Sequence, residues 1–414
     1  GSDTLISSDN ASNVWSITDN DAGTLEDIPA SGTVVSFTGF ANLTGNAGTD
    51  TFNFANGKAI TGTINGGDGS DTLDYSLWTS GVTVDSGKLV SIETLIGGST
   101  TDDVIVGVAV SDTFVGTKFV VTGMNAGTAQ NVLQPAAVGT ATVVGFTFFE
   151  NLAGGNGDDS FTFEMGGSLA SAVDGGAGAN TLTFNDPAGN DDVTLTDVGS
   201  LVGYQGMATV TDFDNITSLD AGSGNNTLTG LNVASTWQVA TDGVYSTIVS
   251  GSEVKLNFAN IDTVTGGDMP DSFILKEDLD IVMDGGDGTD SISFTNTTVQ
   301  IEDVGPVDGF TGKIGSNASF DDIDAIIGTS GTNTLQRVNA NTPLPATWVL
   351  NSTTGNTYTE NGRTLSFSGM KNLIGTTVAD TFNVTGSHLV NVTADGGDDV
   401  FNFNDYTSGT QTLV

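Results

Sequence analysis

The groups in this chain that could do chemistry are aspartates at fixed places in glycine-rich turns. GNAGTDTFNF (Gly45–Phe54), GGDGSDTLDY (Gly66–Tyr75), GGNGDDSFTF (Gly154–Phe163), GGAGANTLTF (Gly175–Phe184), GGDMPDSFIL (Gly266–Leu275), GGDGTDSISF (Gly285–Phe294) and GTTVADTFNV (Gly375–Val384) share one plan. Each is a glycine turn, an acidic or amide residue, then a short alternating strand. Glycine lets the backbone turn left-handed and leaves room for carbonyls to approach a ligand. The aspartate adds a carboxylate at the end of that turn. Two such turns, side by side, can sandwich Ca2+, which takes six to eight oxygens at about 2.3–2.6 Å. This chemistry selects Asp50, Asp68 and Asp71 first, then Asp268, Asp271, Asp287 and Asp290, then Asp158 and Asp159. The pattern is imperfect. Asn180 replaces one aspartate, Met269 and Pro270 interrupt one turn, and Asp395–Phe401 shortens another to DGGDDVF. The competing reading is that Asp and Asn side chains simply bond backbone N–H groups in the turn.

The charge balance narrows the function. The 414 residues carry 50 Asp+Glu against 9 Lys+Arg, a formal net charge of -41. There is no basic surface to neutralise phosphate, which excludes nucleic acid as a partner. Anionic lipid is disfavoured for the same reason, and no apolar run is long enough to span a bilayer. Cysteine is absent, which removes disulfides and zinc–thiolate sites. An enzyme is not expected. Cations are scattered, and a Ser–His–Asp set would have to pass through His388, read here as an edge residue. The glycine turns lead to strands, whereas phosphate-binding loops lead to helices. Trp15, Phe119, Trp237 and Trp348 recur once per repeat and read as core positions rather than a sugar platform. Trp78 occurs in one repeat only and is the better candidate for an exposed aromatic.

The elements that position these residues follow from a long period. Phe52, Phe161, Phe273 and Phe382 are separated by 109, 112 and 109 residues. Leu73, Leu182, Ile292 and Phe401 are separated by 109, 110 and 109. The chain divides accordingly into 1–105, 106–228, 229–335 and a partial fourth repeat, 336–414. Within a repeat, neighbouring turns such as Gly45 and Gly66 lie 21 residues apart, one coil of a solenoid. TFNF, TLDY, SFTF, TLTF and SISF alternate polar and apolar with the period of a strand. The predicted fold is all-β, a right-handed parallel β-helix or β-solenoid. Leu43, Ile64, Phe52 and Leu73 should point inward and stack from coil to coil at about 4.8 Å.

The glycine turns resemble those of the repeats-in-toxin (RTX) family, which implies calcium between turns. Over its whole length the chain is similar to large repeat exoproteins and adhesins of Gram-negative bacteria. FANLTGNAGTDTF and GTINGGDGSDTLDYS carry that resemblance. It implies an extracellular or cell-surface location and a structural role in a filament, adhesin or matrix fibre stabilised by Ca2+. Both ends fall inside the repeat pattern, so a longer array or self-association into fibres is expected. The alternatives are a polysaccharide-binding or polysaccharide-degrading β-helix, with a cell-surface polysaccharide as ligand, and a calcium-dependent surface-layer protein.

Overall fold

A computed structural model describes residues 2–7, 11–28, 33–111, 114–134, 143–186, 189–338, 344–351, 353–386, 390–404 and 412–413. His388 lies outside them. Among these residues the chain is all-β, with one 3-10 turn at Ser86–Lys88. It forms two compact units, one of residues 1–191 with 197–224, the other of 192–196 with 225–414.

In the first unit, parallel strands pair one coil apart. Trp15 lies opposite Phe52, Phe52 opposite Leu73, Leu73 opposite Leu95, and Leu95 opposite Phe146. On another face Leu5, Leu43, Ile64 and Leu89 align in turn. Leu43, Phe52 and Leu73 are fully buried and Ile64 nearly so, with the residues between them half-exposed. The period-two pattern therefore does set the inward face. The second unit repeats the arrangement. Trp237, Phe273, Ile292, Ile326 and Phe367 form one parallel column, and Leu228, Val264, Met283 and Phe320 another.

The four aromatic positions belong to these columns. Trp15, Phe119, Trp237 and Trp348 are all 0% exposed, each stacked on the phenylalanine of the next coil. Ring centroids are 5.4 Å apart for Trp15–Phe52, 5.1 Å for Phe119–Phe161, 5.9 Å for Trp237–Phe273 and 5.8 Å for Trp348–Phe382. Interplanar angles of 15°, 5°, 13° and 12° make these offset stacks, a favoured aromatic geometry. The indole N–H groups of Trp15, Trp237 and Trp348 have no hydrogen-bond partner, and nothing in the structure explains that cost.

One feature departs from a purely parallel solenoid. Each repeat inserts antiparallel strands between coils: 12–19 with 22–28 and 34–38, 114–123 with 126–133 and 143–147, 235–239 with 242–249 and 252–259, and 347–351 with 356–360 and 363–368. The turns that start two of them, DNDAG and GMNAG, hold Asp21 at φ 52° and Asn125 at φ 53°. Asx residues tolerate that left-handed backbone, which hairpin turns need. Gly243 shows how tightly the hairpin strands pack. A Cβ there would lie 2.2 Å from the Phe258 ring, so the aromatic occupies the glycine's missing side chain.

Candidate metal centre

The motif aspartates face two ways. Asp50, Asp71, Asp159, Asp271 and Asp290 are buried, whereas Asp68, Asp158, Asp268 and Asp287 are exposed. The buried set is held by glycine. The carboxylate folds back over the glycine five residues earlier. A Cβ on Gly45 would meet Asp50 Oδ2 at 2.3 Å, and one on Gly66 would meet Asp71 Oδ2 at 2.3 Å. Gly154, Gly266, Gly285 and Gly375 stand in the same relation to Asp159, Asp271, Asp290 and Asp380, at 2.4, 2.3, 2.7 and 2.5 Å. The same Cβ would also strike a carbonyl of the next coil, Gly175 O at 2.4 Å in the case of Gly154. Glycine is required here by close approach of the side chain and the next coil.

What the buried carboxylates do is accept backbone N–H groups from the preceding coil. Asn13 N–H donates to Asp50 Oδ1 (2.9 Å), Asp50 N–H to Asp71 Oδ1 (2.7 Å), and Asp71 N–H to Glu93 Oε2 (2.7 Å). In the second repeat Thr117 N–H donates to Asp159 Oδ1 (2.5 Å), and Asp159 N–H to Asn180 Oδ1 (3.1 Å). In the third, Ser235 N–H donates to Asp271 Oδ1 (3.1 Å), Asp271 N–H to Asp290 Oδ1 (2.7 Å) and Asp290 N–H to Asp324 Oδ2 (3.1 Å). In the fourth, Ala346 N–H donates to Asp380 Oδ1 (2.9 Å) and Asp380 N–H to Asp399 Oδ1 (2.8 Å). Each side chain thus satisfies an amide that the sheet ladder leaves over where a turn becomes a strand. The ladder couples consecutive coils.

Asparagine performs the task more completely than aspartate. Asn180 accepts from Asp159 N–H and donates through Nδ2 to Asn215 O (3.1 Å) and Gly176 O (3.3 Å). Asn333 accepts from Thr297 N–H (3.1 Å) and donates to Ser330 O and Gly369 O (both 3.1 Å). Where the residue is aspartate, the atom in that place is an oxygen. Oδ2 of Asp71, Asp159 and Asp290 is buried without a hydrogen-bond partner. Burial therefore raises the carboxyl pKa, aided by nearby acids: to about 6 for Asp71, about 7 for Asp159 and about 8 for Asp290. Burial also raises Asp271 and Asp380.

Two of the exposed motif acids have partners of their own. Asp158 Oδ1 accepts Ala179 N–H (2.8 Å) and Asp268 Oδ2 accepts from Asn232 Nδ2 (2.6 Å), both at the surface. Among the described residues one group of three acids brings its ligand atoms within 4.8 Å of one another: Asp290, Asp308 and Asp324. Of these only Asp290 belongs to a glycine motif. Asp308 sits in the 305–309 loop between the strands Thr298–Val304 and Phe310–Ile314. Asp324 sits between Ala318–Ile323 and Ala325–Ser330. Neither is marked by a local pattern. The weak signal for Asp308 is the Val-Asp-Gly turn that ends in Phe310, and for Asp324 the acid run DDID.

One charged cluster in the core is satisfied structurally. Arg337 Nε bonds Glu360 Oε2 (2.7 Å) and its NH2 bonds Glu360 Oε1 (3.0 Å), a buried two-pronged pair that Tyr358 Oη also joins. Compared with protein-family models and with curated proteins, the chain matches none.

Proposed function

We propose that this chain is a structural segment of an extracellular bacterial filament, adhesin or matrix fibre, and not an enzyme. The observation that carries the reading is the side-chain-to-backbone ladder, which recurs in every repeat at Asp50, Asp159, Asp271 and Asp380. Catalysis needs one distinctive site. A device built again in each repeat serves the repeat itself, by locking coil to coil. The acid excess supports the same reading, since a net charge of -41 keeps a long array soluble and resists unwanted lateral sticking. In this reading partners are further repeats, or other copies of the chain joined end to end or laterally. Calcium is an accessory to the fold and not its universal glue.

Antibody raised against the chain, used in immunogold electron microscopy of the native cells, tests this. Labelled surface fibres are expected. A regular two-dimensional lattice would favour a surface-layer protein, and label confined to the cytoplasm would defeat the proposal.

One observation favours polysaccharide binding as a second reading. A cavity of about 210 Å³ in the first repeat is lined by Tyr75, Trp78, Lys58, Lys88 and Asp85. The buried Trp78 Nε1 has no acceptor. Aromatic faces with a few polar groups suit a sugar, and two lysines suit an acidic one. A glycan array that showed loss of binding in Trp78→Ala would favour this reading.

A further inference from the structure

The third repeat carries three carboxylates where the second carries none, in the same backbone frame. The correspondence is fixed by hydrogen bonds and not by counting alone. Asp324 N–H and Ala325 N–H both donate to Asp290 O (2.9 Å each), as Thr217 N–H and Ser218 N–H both donate to Asn180 O (3.0 Å each). Gly305 N–H closes a loop on Gly309 O (3.1 Å), as Gly199 N–H does on Gly203 O (2.9 Å). Inside those loops Val307 and Asp308 donate their N–H groups to Asp322 Oδ1 (2.9 and 3.1 Å), as Leu201 and Val202 do to Asn215 Oδ1 (2.7 and 3.1 Å). Asp290, Asp308 and Asp324 therefore occupy the places of Asn180, Val202 and Thr217. The neutral set shows that the frame does not need the acids. The first repeat has Asp71 and Glu93 at two of the three places, but the 3-10 turn Ser86–Lys88 replaces the loop that would bear the third.

Three acids within reach of one another repel unless something neutralises them. Asp290 is 0% exposed, its Oδ2 has no hydrogen-bond partner, and Asp308 Oδ1 is likewise buried and unpartnered. Among the described residues, the cation that acts on this group is Arg363. Its guanidinium donates to Val307 O (3.0 Å) and Gly309 O (3.4 Å), bracing Asp308 on both sides, and it attracts Asp324. Three carboxylates against one guanidinium leave an excess of two negative charges. Asp322 Oδ1 accepts the loop N–H groups of Val307 and Asp308. A donor set made of carboxylate oxygens alone, without nitrogen or sulfur, suits a hard divalent cation.

We propose that Asp290, Asp308 and Asp324 bind one divalent cation of the Ca2+ type, at a site that the first and second repeats do not build and distinct from the paired glycine turns. Bound there, the ion ties the 305–309 loop to the start of the strand Ser291–Thr295 and to the 324 junction. It holds the three carboxylates together against their mutual repulsion. The site stands or falls independently of the fibre role.

The test is isothermal titration of CaCl2 into the metal-stripped full chain at pH 7.5, for the wild type and Asp308→Val. Valine is the residue the second repeat carries in this loop, so the variant keeps a tolerated backbone. One site per chain is expected in the wild type, weakened at least tenfold in the variant. Crystals soaked in CaCl2 give a second readout, an anomalous peak between the three aspartates. Absence of binding by the wild type at millimolar Ca2+, equal affinity in Asp308→Val, or anomalous peaks only elsewhere would each overturn the proposal.

Discussion

Asp159→Asn should stabilise the protein at alkaline pH, although it removes a motif aspartate. Asp159 is 2% exposed, its Oδ1 accepts Thr117 N–H, and its Oδ2 has no partner. Burial pushes its pKa from 3.8 up to about 7. The folded chain therefore holds that proton more tightly than the unfolded chain. The contribution to stability is greatest below about pH 4, falls as pH rises towards 7, and is flat above. Roughly three pH units at about 1.36 kcal/mol each place the ionisation penalty at pH 8 on the order of 4 kcal/mol. Asparagine keeps the acceptor for Thr117 and supplies a donor where Oδ2 stands, as Asn180 does one coil on. Asp159→Asn is thus expected to be near neutral below about pH 4, to gain roughly 1.6 kcal/mol over the wild type already at pH 5, and to be stabilising at pH 8 by up to that penalty. Asp159→Ala leaves Thr117 N–H buried and unbonded, which at pH 5 costs about 1–3 kcal/mol. Urea unfolding read by pulsed hydrogen exchange over residues 114–123 isolates this coil from the rest of a repeat protein, which need not unfold in one step. If Asp159→Asn destabilised at pH 8 as much as Asp159→Ala does at pH 5, an ionised carboxylate would be required there. The ladder account would then be wrong.

Three further outcomes follow from the packing. Gly154→Ala places a methyl 2.4 Å from both Asp159 Oδ2 and Gly175 O, so it should cost about 1–3 kcal/mol or more in a urea titration, whereas the exposed Asp158→Ala should cost under about 1. Trp237→Ala empties a fully buried site stacked on Phe273 and should lose about 3–5 kcal/mol, with Trp237→Phe much milder, as measured by thermal melting. Arg337→Met leaves Glu360 buried and unpaired and should cost about 3–5 kcal/mol near neutral pH, a loss that the added Glu360→Gln should partly restore.

The coil geometry was legible in the sequence because it rests on one-dimensional periods. Alternation chose Leu43, Phe52, Ile64 and Leu73 for the interior, and the 109-residue step found the row of phenylalanines on which the buried Trp and Phe residues stack. The glycine motif, by contrast, showed where acids sit but not which way they turn. Asp50 and Asp68 look alike as letters, yet the first folds back over Gly45 and the second faces water. That difference depends on the coil stacked above, which no single turn encodes. The partners of the ladder were hidden for the same reason. Asn13 and Asp50 are 37 residues apart and Thr117 and Asp159 are 42 apart, because hairpins lie between coils of about 21 residues. Those hairpins had a signal in DNDAG and GMNAG, turn sequences that permit left-handed backbone. Asp308 and Asp324 carried almost none, since their meeting with Asp290 is made by tertiary structure alone.

Motif aspartates couple coils by accepting backbone N–H groups. Hydrogen exchange of the full chain in EDTA, compared with millimolar Ca2+, tests it at the amides of Asn13, Asp50, Thr117 and Asp159. Strong, equal protection of all four amides is expected in both solutions. Free exchange in EDTA, with protection restored only by Ca2+, would contradict it.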